Sequence, residues 1–238
     1  MSRGERPGAG AERDESIVIA IDGPAASGKS TTARRVAERL GYSHLNSGLL
    51  YRAIAWVALR DAWPESPEGF DRELTRLGLE LERRTPAAAV RVGGNEPGPE
   101  LTSPETAVRA SSVAARPSVR EVVLHVLRAA GEGGGVVCDG RDIGTVVFPD
   151  ARLKVFLVAD PAERARRRLR DHGEEETPER LEREVRELVA RDERDASRDL
   201  APLRPADDSV RIDTTRLDPG RVVDEILALA RSRGVRLG

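Results

Sequence analysis

Lysine is almost missing from this 238-residue sequence: of 39 Lys and Arg residues, only Lys29 and Lys154 are lysines. Cysteine occurs once, at Cys138. That excludes an intrachain disulfide, and its place in an apolar run reads as an inert buried thiol in a reducing compartment. No stretch approaches the ~18 apolar residues of a membrane span, and the N-terminus has no apolar signal core. Acidic residues number 41 against 39 basic, so no global field argues for nucleic acid or a membrane surface as partner. These absences describe a cytoplasmic, soluble chain. Its length allows one substantial domain with a well-buried core.

Against that scarcity, the position of Lys29 carries weight. Gly23-Pro24-Ala25-Ala26-Ser27-Gly28-Lys29-Ser30 satisfies GxxxxGK[ST] and follows the apolar, β-branched run Ile17–Ile21. A phosphate loop needs a strand to deliver the chain and glycines that let backbone N–H groups close on phosphate oxygens. It also needs a helix starting with its positive dipole end toward them. Thr31 to Leu40 reads as that helix, stopped by Gly41. Lys29 then reaches the β- and γ-phosphates as a compact ammonium, and Ser30 can ligate Mg²⁺. The alternative is a glycine-rich turn that matches by accident, which the strand and helix on either side oppose.

Residues Met1 to about Glu15 have no apolar periodicity and read as a disordered tail. His44 to Gly48 reads as a turn, with Ser47 as N-cap of a helix over Leu49–Leu59. Between about 64 and 104 the runs Leu79–Glu82 and Val90–Val92 alternate, and Gly93-Gly94-Asn95 supplies a turn, which suggests a small antiparallel insertion. Ser103-Pro104-Glu105 and the capping-box spacing at Ser118–Glu121 start two helices. Val136–Cys138 is a short buried strand ending at Asp139-Gly140-Arg141-Asp142, where a phosphate-loop fold puts metal-linked and substrate-binding groups; an ordinary acidic turn is the alternative. Leu153–Val158 is a further core strand, and Pro161 opens an Arg-rich helix. Residues 171–177 form a charged break, and Thr177 caps a long helix supported by Glu179/Arg183, Glu182/Arg186 and Glu187/Arg191. A last strand around Val210–Ile212 and a closing helix complete a chain in which strands and helices alternate, implying an α/β fold with a mainly parallel sheet.

In the long helix, Leu181, Val185 and Leu188 mark the buried face, and the same stripe continues as Arg191, Asp195 and Arg198. Charges on a core-facing stripe need partners. A phosphate-filled cleft would supply them; a solvated, salt-bridged helix end is the competing reading.

Ile21-Asp22-Gly23-Pro24, Asn46-Ser47-Gly48 with Tyr51-Arg52, the stretch DGRDIGTVVFPDA from Asp139 to Ala151, and Arg191-Asp192-Glu193-Arg194-Asp195 occur in that order. In this the chain resembles the bacterial cytidylate kinases from about Ile17 to its C-terminus. The resemblance implies the nucleoside monophosphate kinase fold: a phosphate-loop domain over 16–238, a monophosphate-binding insertion over about 64–104 and a lid over about 171–177. It implies that Gly23, Pro24, Ala25, Ala26, Ser27, Gly28, Lys29, Ser30 and Thr31 bind ATP. By the same resemblance Ser47, Arg52, Ser111, Arg120, Arg141, Asp142, Arg191, Asp195 and Arg198 contact the nucleoside monophosphate, with Lys29, Arg141, Arg191 and Arg198 as the catalytic cations. Asp142 and Ser111 would meet the amine of cytosine, and Arg120 its N3 and O2. The implied reaction moves the γ-phosphoryl of Mg·ATP to CMP or dCMP in a monomeric enzyme. Rival readings are a uridylate, adenylate or shikimate kinase on the same core, and a nucleotide-switch protein. The last should carry a guanine-reading Asn-Lys-x-Asp, which the sequence lacks.

Overall fold

The structure, a computed structural model, describes residues 17–236, so the tail expected over 1–15 lies outside the described residues. The chain begins with β1 (Val18–Asp22), α1 (Lys29–Leu40), β2 (Ser43–Asn46) and α2 (Ser47–Arg60). It continues through α3 (Pro67–Arg76), β3 (Leu79–Glu82), β4 (Ala89–Val92), α4 (Pro104–Val113), α5 (Pro117–Gly131) and β5 (Val136–Gly140). The last part is β6 (Leu153–Val158), α6 (Pro161–Asp171), α7 (Pro178–Ala196), β7 (Val210–Asp213) and α8 (Pro219–Ser232). Five of the strands form one parallel sheet in the order β2-β5-β1-β6-β7.

Alternation along each strand divides the core in two. Ile19, Ile21, Val137, Val155 and Leu157 face α1 and α8, packing on Val36, Leu40, Val223 and Ile226. Ala20, Leu45, Val136 and Cys138 face α2, α4 and α5, packing on Leu50, Ile54, Val113, Val123 and Leu127. Parallel strands buried on both faces explain the near-continuous apolar runs in the sequence. Cys138 is a free, fully buried thiol whose pKa burial pushes well above its ordinary value, so it is inert.

Several local expectations are corrected. His44 to Asn46 is not a turn but part of β2, paired in register with β5 from Ser43 opposite Val136 to Asn46 opposite Asp139. The next helix therefore starts at Ser47 with Asn46 as its cap, and the Ser47 hydroxyl donates to Asp139 O at 2.8 Å instead of capping. β3 and β4 do pair antiparallel. Gly93-Gly94-Asn95, however, does not join them: it closes a turn beyond β4, with Asn95 N donating to Val92 O. The capping box at Ser118 does not form, because α5 begins at Pro117 and the Ser118 hydroxyl donates to Asp71 at 2.6 Å. Thr177 does cap α7, accepting from Arg180 N. Of the three expected pairs along that helix only Glu182–Arg186 forms, at 3.3 Å, while Arg183 reaches Glu174.

One buried carboxylate joins the sheet to the site. Asp22, last in β1, accepts from Ile143 N at 2.8 Å and Gly144 N at 2.7 Å, pinning the π-pitched turn Ile143–Val147 that follows β5. Burial pushes the Asp22 pKa up to about 6 against the pull of those two amides. Replacing Asp22 by Ala strands two buried donors and is expected to lower the unfolding free energy by about 2–4 kcal/mol at pH 8, where the carboxylate is ionised. Denaturant titration of both proteins checks this.

Candidate active site

The carboxyl ends of β1, β2 and β5 open onto a cleft of about 980 Å³, where an open α/β sheet holds its ligands. The phosphate loop forms one wall. Gly23 is required there, since a Cβ would stand 2.3 Å from Leu157 O. Gly28 takes φ 86 at the start of α1, and the helix's first turn contains no acidic residue. Lys29, 8% exposed, donates to Pro24 O at 3.0 Å. Burial, with Arg141 and Arg191 nearby, pushes its pKa down to about 7 against the pull of Asp139 and Asp192.

Beneath Ser30 lies Asp139, 2% exposed, which accepts from the Ser30 hydroxyl at 2.6 Å and pairs with His44 Nε2 at 2.7 Å. Burial alone would raise this carboxyl, but His44, Lys29 and Ser30 outweigh it and hold the pKa below the ordinary value. Gly140 follows because a Cβ there would meet the Ser47 hydroxyl at 2.6 Å.

A second wall carries arginines. Arg52 and Arg191 line the cleft without an ion-pair or hydrogen-bond partner among the described residues, and Arg191 Nε is buried and unsatisfied. Burial and then Arg141 push the Arg191 pKa down to about 10; burial, Arg168 and Arg141 lower that of Arg52. Arg141 pairs with Asp195 at 2.9 Å, and Arg198 pairs with the other oxygen of the same carboxylate. Farther in, Arg120 pairs with Asp142 beside Tyr51, and Ser111 of α4 completes that end. Burial raises the Asp142 pKa against Arg120, Arg198 and Arg141.

Ala25 to Thr31, Ser47, Arg52, Ser111, Arg120, Arg141, Asp142, Arg191 and Arg198 thus share one cleft. Gly23 and Pro24 shape the loop from behind, and Asp195, 2% exposed, sits one layer back holding two of the arginines. Sequence reasoning missed Tyr51, Arg168 and His44. Tyr51 was visible beside Arg52, and Arg168 was hidden in the Arg164–Arg170 run. His44 had no signal until β2 placed it against Asp139. Chemically the cleft is a set of close, poorly compensated cations facing a phosphate loop, which suits a polyanion. It ends in a donor and an acceptor side by side, which suits the edge of a base.

Among known proteins, the sequence model described as cytidylate kinase matches residues 19–232. Curated cytidylate kinases from Thermotoga sp. (strain RQ2) and Chloroherpeton thalassium are each 42% identical, over 90% of this chain and 97% and 93% of theirs. One from Geobacillus sp. is 41% identical over 91% of this chain and 97% of its own. A solved shikimate kinase from Bacteroides thetaiotaomicron gives a TM-score of 0.47 at 13% identity, covering 90% of this chain and 98% of that one.

The low Lys29 pKa has two measurable consequences. Between about pH 7 and 10.5 the unfolded chain binds more protons at Lys29 than the folded one, so this group's contribution to stability rises with pH across that window. A bound polyphosphate restores the charge, so at pH 8 nucleotide binding is expected to take up most of ~1 proton. Calorimetry in buffers of different ionisation enthalpy measures this, and Lys29→Met should abolish it.

Proposed function

Because the chain belongs to the cytidylate kinase family, we infer that it transfers the γ-phosphoryl of ATP to CMP and dCMP, giving CDP and dCDP. The observation that carries this reading is the cluster of Lys29, Arg52, Arg141, Arg191 and Arg198 between the phosphate loop and the Arg120–Asp142 pair. Charge is concentrated where a donor and an acceptor phosphate would meet. Uridylate, adenylate and shikimate kinases are not favoured by the family match.

The acceptor phosphate is already an anion and needs no general base, so the residues act by positioning and by neutralising charge in a loose transition state. Lys29 and the amides at the start of α1 hold the β- and γ-phosphates. Arg141, Arg191 and Arg198 face the transferring group, and Arg52 and Ser47 hold the acceptor. Asp195 acts through Arg141 and Arg198, keeping both in register.

Among the described residues no group of three or more His, Cys, Asp or Glu could hold a metal ion. The Ser30 hydroxyl against the Asp139 carboxylate instead offers a pair of hard oxygens, which fits a Mg²⁺ carried in mainly by the nucleotide's phosphates and water. Bound with ATP, Mg²⁺ would neutralise phosphate charge.

Arg170, Asp171 and His172 border the cleft at the end of α6. We take residues 171–177 as a lid whose closure excludes water, and residues 64–104 as the monophosphate-binding insertion. No described helix is long and apolar enough to cross a membrane, and the formal net charge is −2. The proposed setting is the cytoplasm, with no nucleic acid or membrane partner. Only Leu59, Val108 and Leu200 are exposed large apolar side chains among the described residues, which supports a monomer.

A coupled assay presenting each nucleoside monophosphate with ATP tests the reading; turnover of another monophosphate in preference to CMP would sink it. Arg191→Ala is expected to lower kcat at least about tenfold without lowering the melting temperature, since it removes a buried cation crowded by other arginines. A fall in melting temperature at constant kcat/KM would return Arg191 to a structural role.

Cytosine offers an amine to Asp142 and Ser111 and two acceptors to Arg120, whereas uracil reverses two of these and leaves buried groups unpaired. CMP should therefore exceed UMP in kcat/KM at least on the order of tenfold, from ~1–3 kcal/mol per mismatch. Asp142→Ala should narrow the ratio mainly by losing CMP. An unchanged ratio in competing assays would mean that Asp142 does not read the base.

A further inference from the structure

Asp192 lies inside the Arg191–Asp195 motif yet has no part in the mechanism above. Its neighbour Arg191 borders the cleft, while Asp192 is turned to the back of the phosphate loop. There Asp192 Oδ1 accepts from Ala25 N at 3.1 Å, and Oδ2 pairs with Arg164 Nη1. The same Arg164 nitrogen donates to Ala25 O at 3.0 Å. Both polar backbone groups of one phosphate-loop residue are therefore held by a single ion pair, one half from α7 and the other from α6. Arg164 is 5% exposed and the Asp192 side chain 18%, so water competes little on the arginine side of the pair. Around it Ala25, Ala165 and Leu188 form a small apolar cluster, with Ala26, Leu181 and Val185 packed against it.

The next residue shows what such a clamp is for. Ala26 has φ 55, in the left-handed region. A residue with a Cβ stays there only when its surroundings over-determine it. Next to it, Ala25 is fixed at both its N–H and its C=O, which pins the peptide unit on either side of Ala25. Released, the loop can relax out of the conformation that turns its amides toward a phosphate.

We propose that Asp192, with Arg164, is a positioning pair that holds the phosphate loop in its nucleotide-ready shape before ATP arrives, and so ties that shape to the α6–α7 hairpin. This rests on ATP being the ligand of the loop. Wild-type affinity for ATP checks that premise by itself; ratios between variants check the clamp.

Dissociation constants for ATP and CMP and melting temperatures would be measured for Asp192→Ala, Asp192→Asn and the double variant Arg164→Met/Asp192→Leu. Asp192→Ala should weaken ATP about tenfold and change CMP less than about twofold, the size of one lost hydrogen bond to a charged group. Asp192→Asn keeps an oxygen for the Ala25 amide and should fall between. In the double variant an apolar pair replaces the buried ion pair, so the wild-type melting temperature should return, while ATP binding stays more than about threefold weakened because nothing accepts from Ala25 N. A pair that served stability alone would recover both. ATP affinity within about threefold of wild type in the double variant, or equal losses for ATP and CMP in Asp192→Ala, overturns the proposal. If the double variant does not fold, Asp192→Ala decides by the same threefold threshold.

Discussion

Mutual repulsion among cations in a half-closed cleft is the constraint to which the rest of the molecule answers. Lys29, Arg52 and Arg191 all have pKa values depressed first by burial and then by neighbouring arginines. Such an arrangement is unfavourable in the free protein, because charge is held out of water with too little compensation. It persists because the sheet and helices that carry it are stabilised elsewhere, by the two apolar cores on either face. An anionic ligand in the cleft relieves that charge strain.

The few carboxylates near the cleft are spent on holding cations and backbone in place. Asp195 takes two arginines, Asp142 takes one, and Asp192 takes Arg164 together with a phosphate-loop amide. Asp22 accepts from two amides of the turn after β5, and Asp139 receives Ser30 and His44. Asp142 and Arg120 then present an acceptor and a donor side by side at the inner end. One turn of α7, from Arg191 to Asp195, touches the cleft, the phosphate loop and Arg141.

Much of this was legible in the sequence, because it rests on local grammar. The phosphate loop is a strand, a glycine-rich turn and a helix in immediate succession, and the stripe Leu181, Val185, Leu188 predicted that Arg191 and Asp195 would turn inward. What escaped was set by partners distant in the chain. β2 is four residues whose pairing partners, β5 and the segment around Ala87, lie far along the chain, and in isolation it has the composition of a turn. The Ser118 hydroxyl found Asp71 on another helix, and Pro117 had already taken the first helical position. The pair Glu187/Arg191 failed because the same arginine was wanted in the cleft. Asp195 was expected to contact the nucleoside monophosphate; that it stands behind Arg141 and Arg198 depends on tertiary packing that no spacing encodes.

The order of the sheet bears on how the molecule comes into being. β1 is flanked by β5 and β6, so Val18 pairs with Val136 and Ile19 with Leu153. During synthesis the phosphate loop leaves the ribosome well before either neighbour of the strand that supports it, with β2, β3, β4 and five helices made in between. Pairings so remote close slowly, since loop entropy must be overcome before any contact rewards it. The most recognisable motif is therefore among the last to acquire its shape, and a nascent chain interrupted before β6 carries the loop's sequence without the loop.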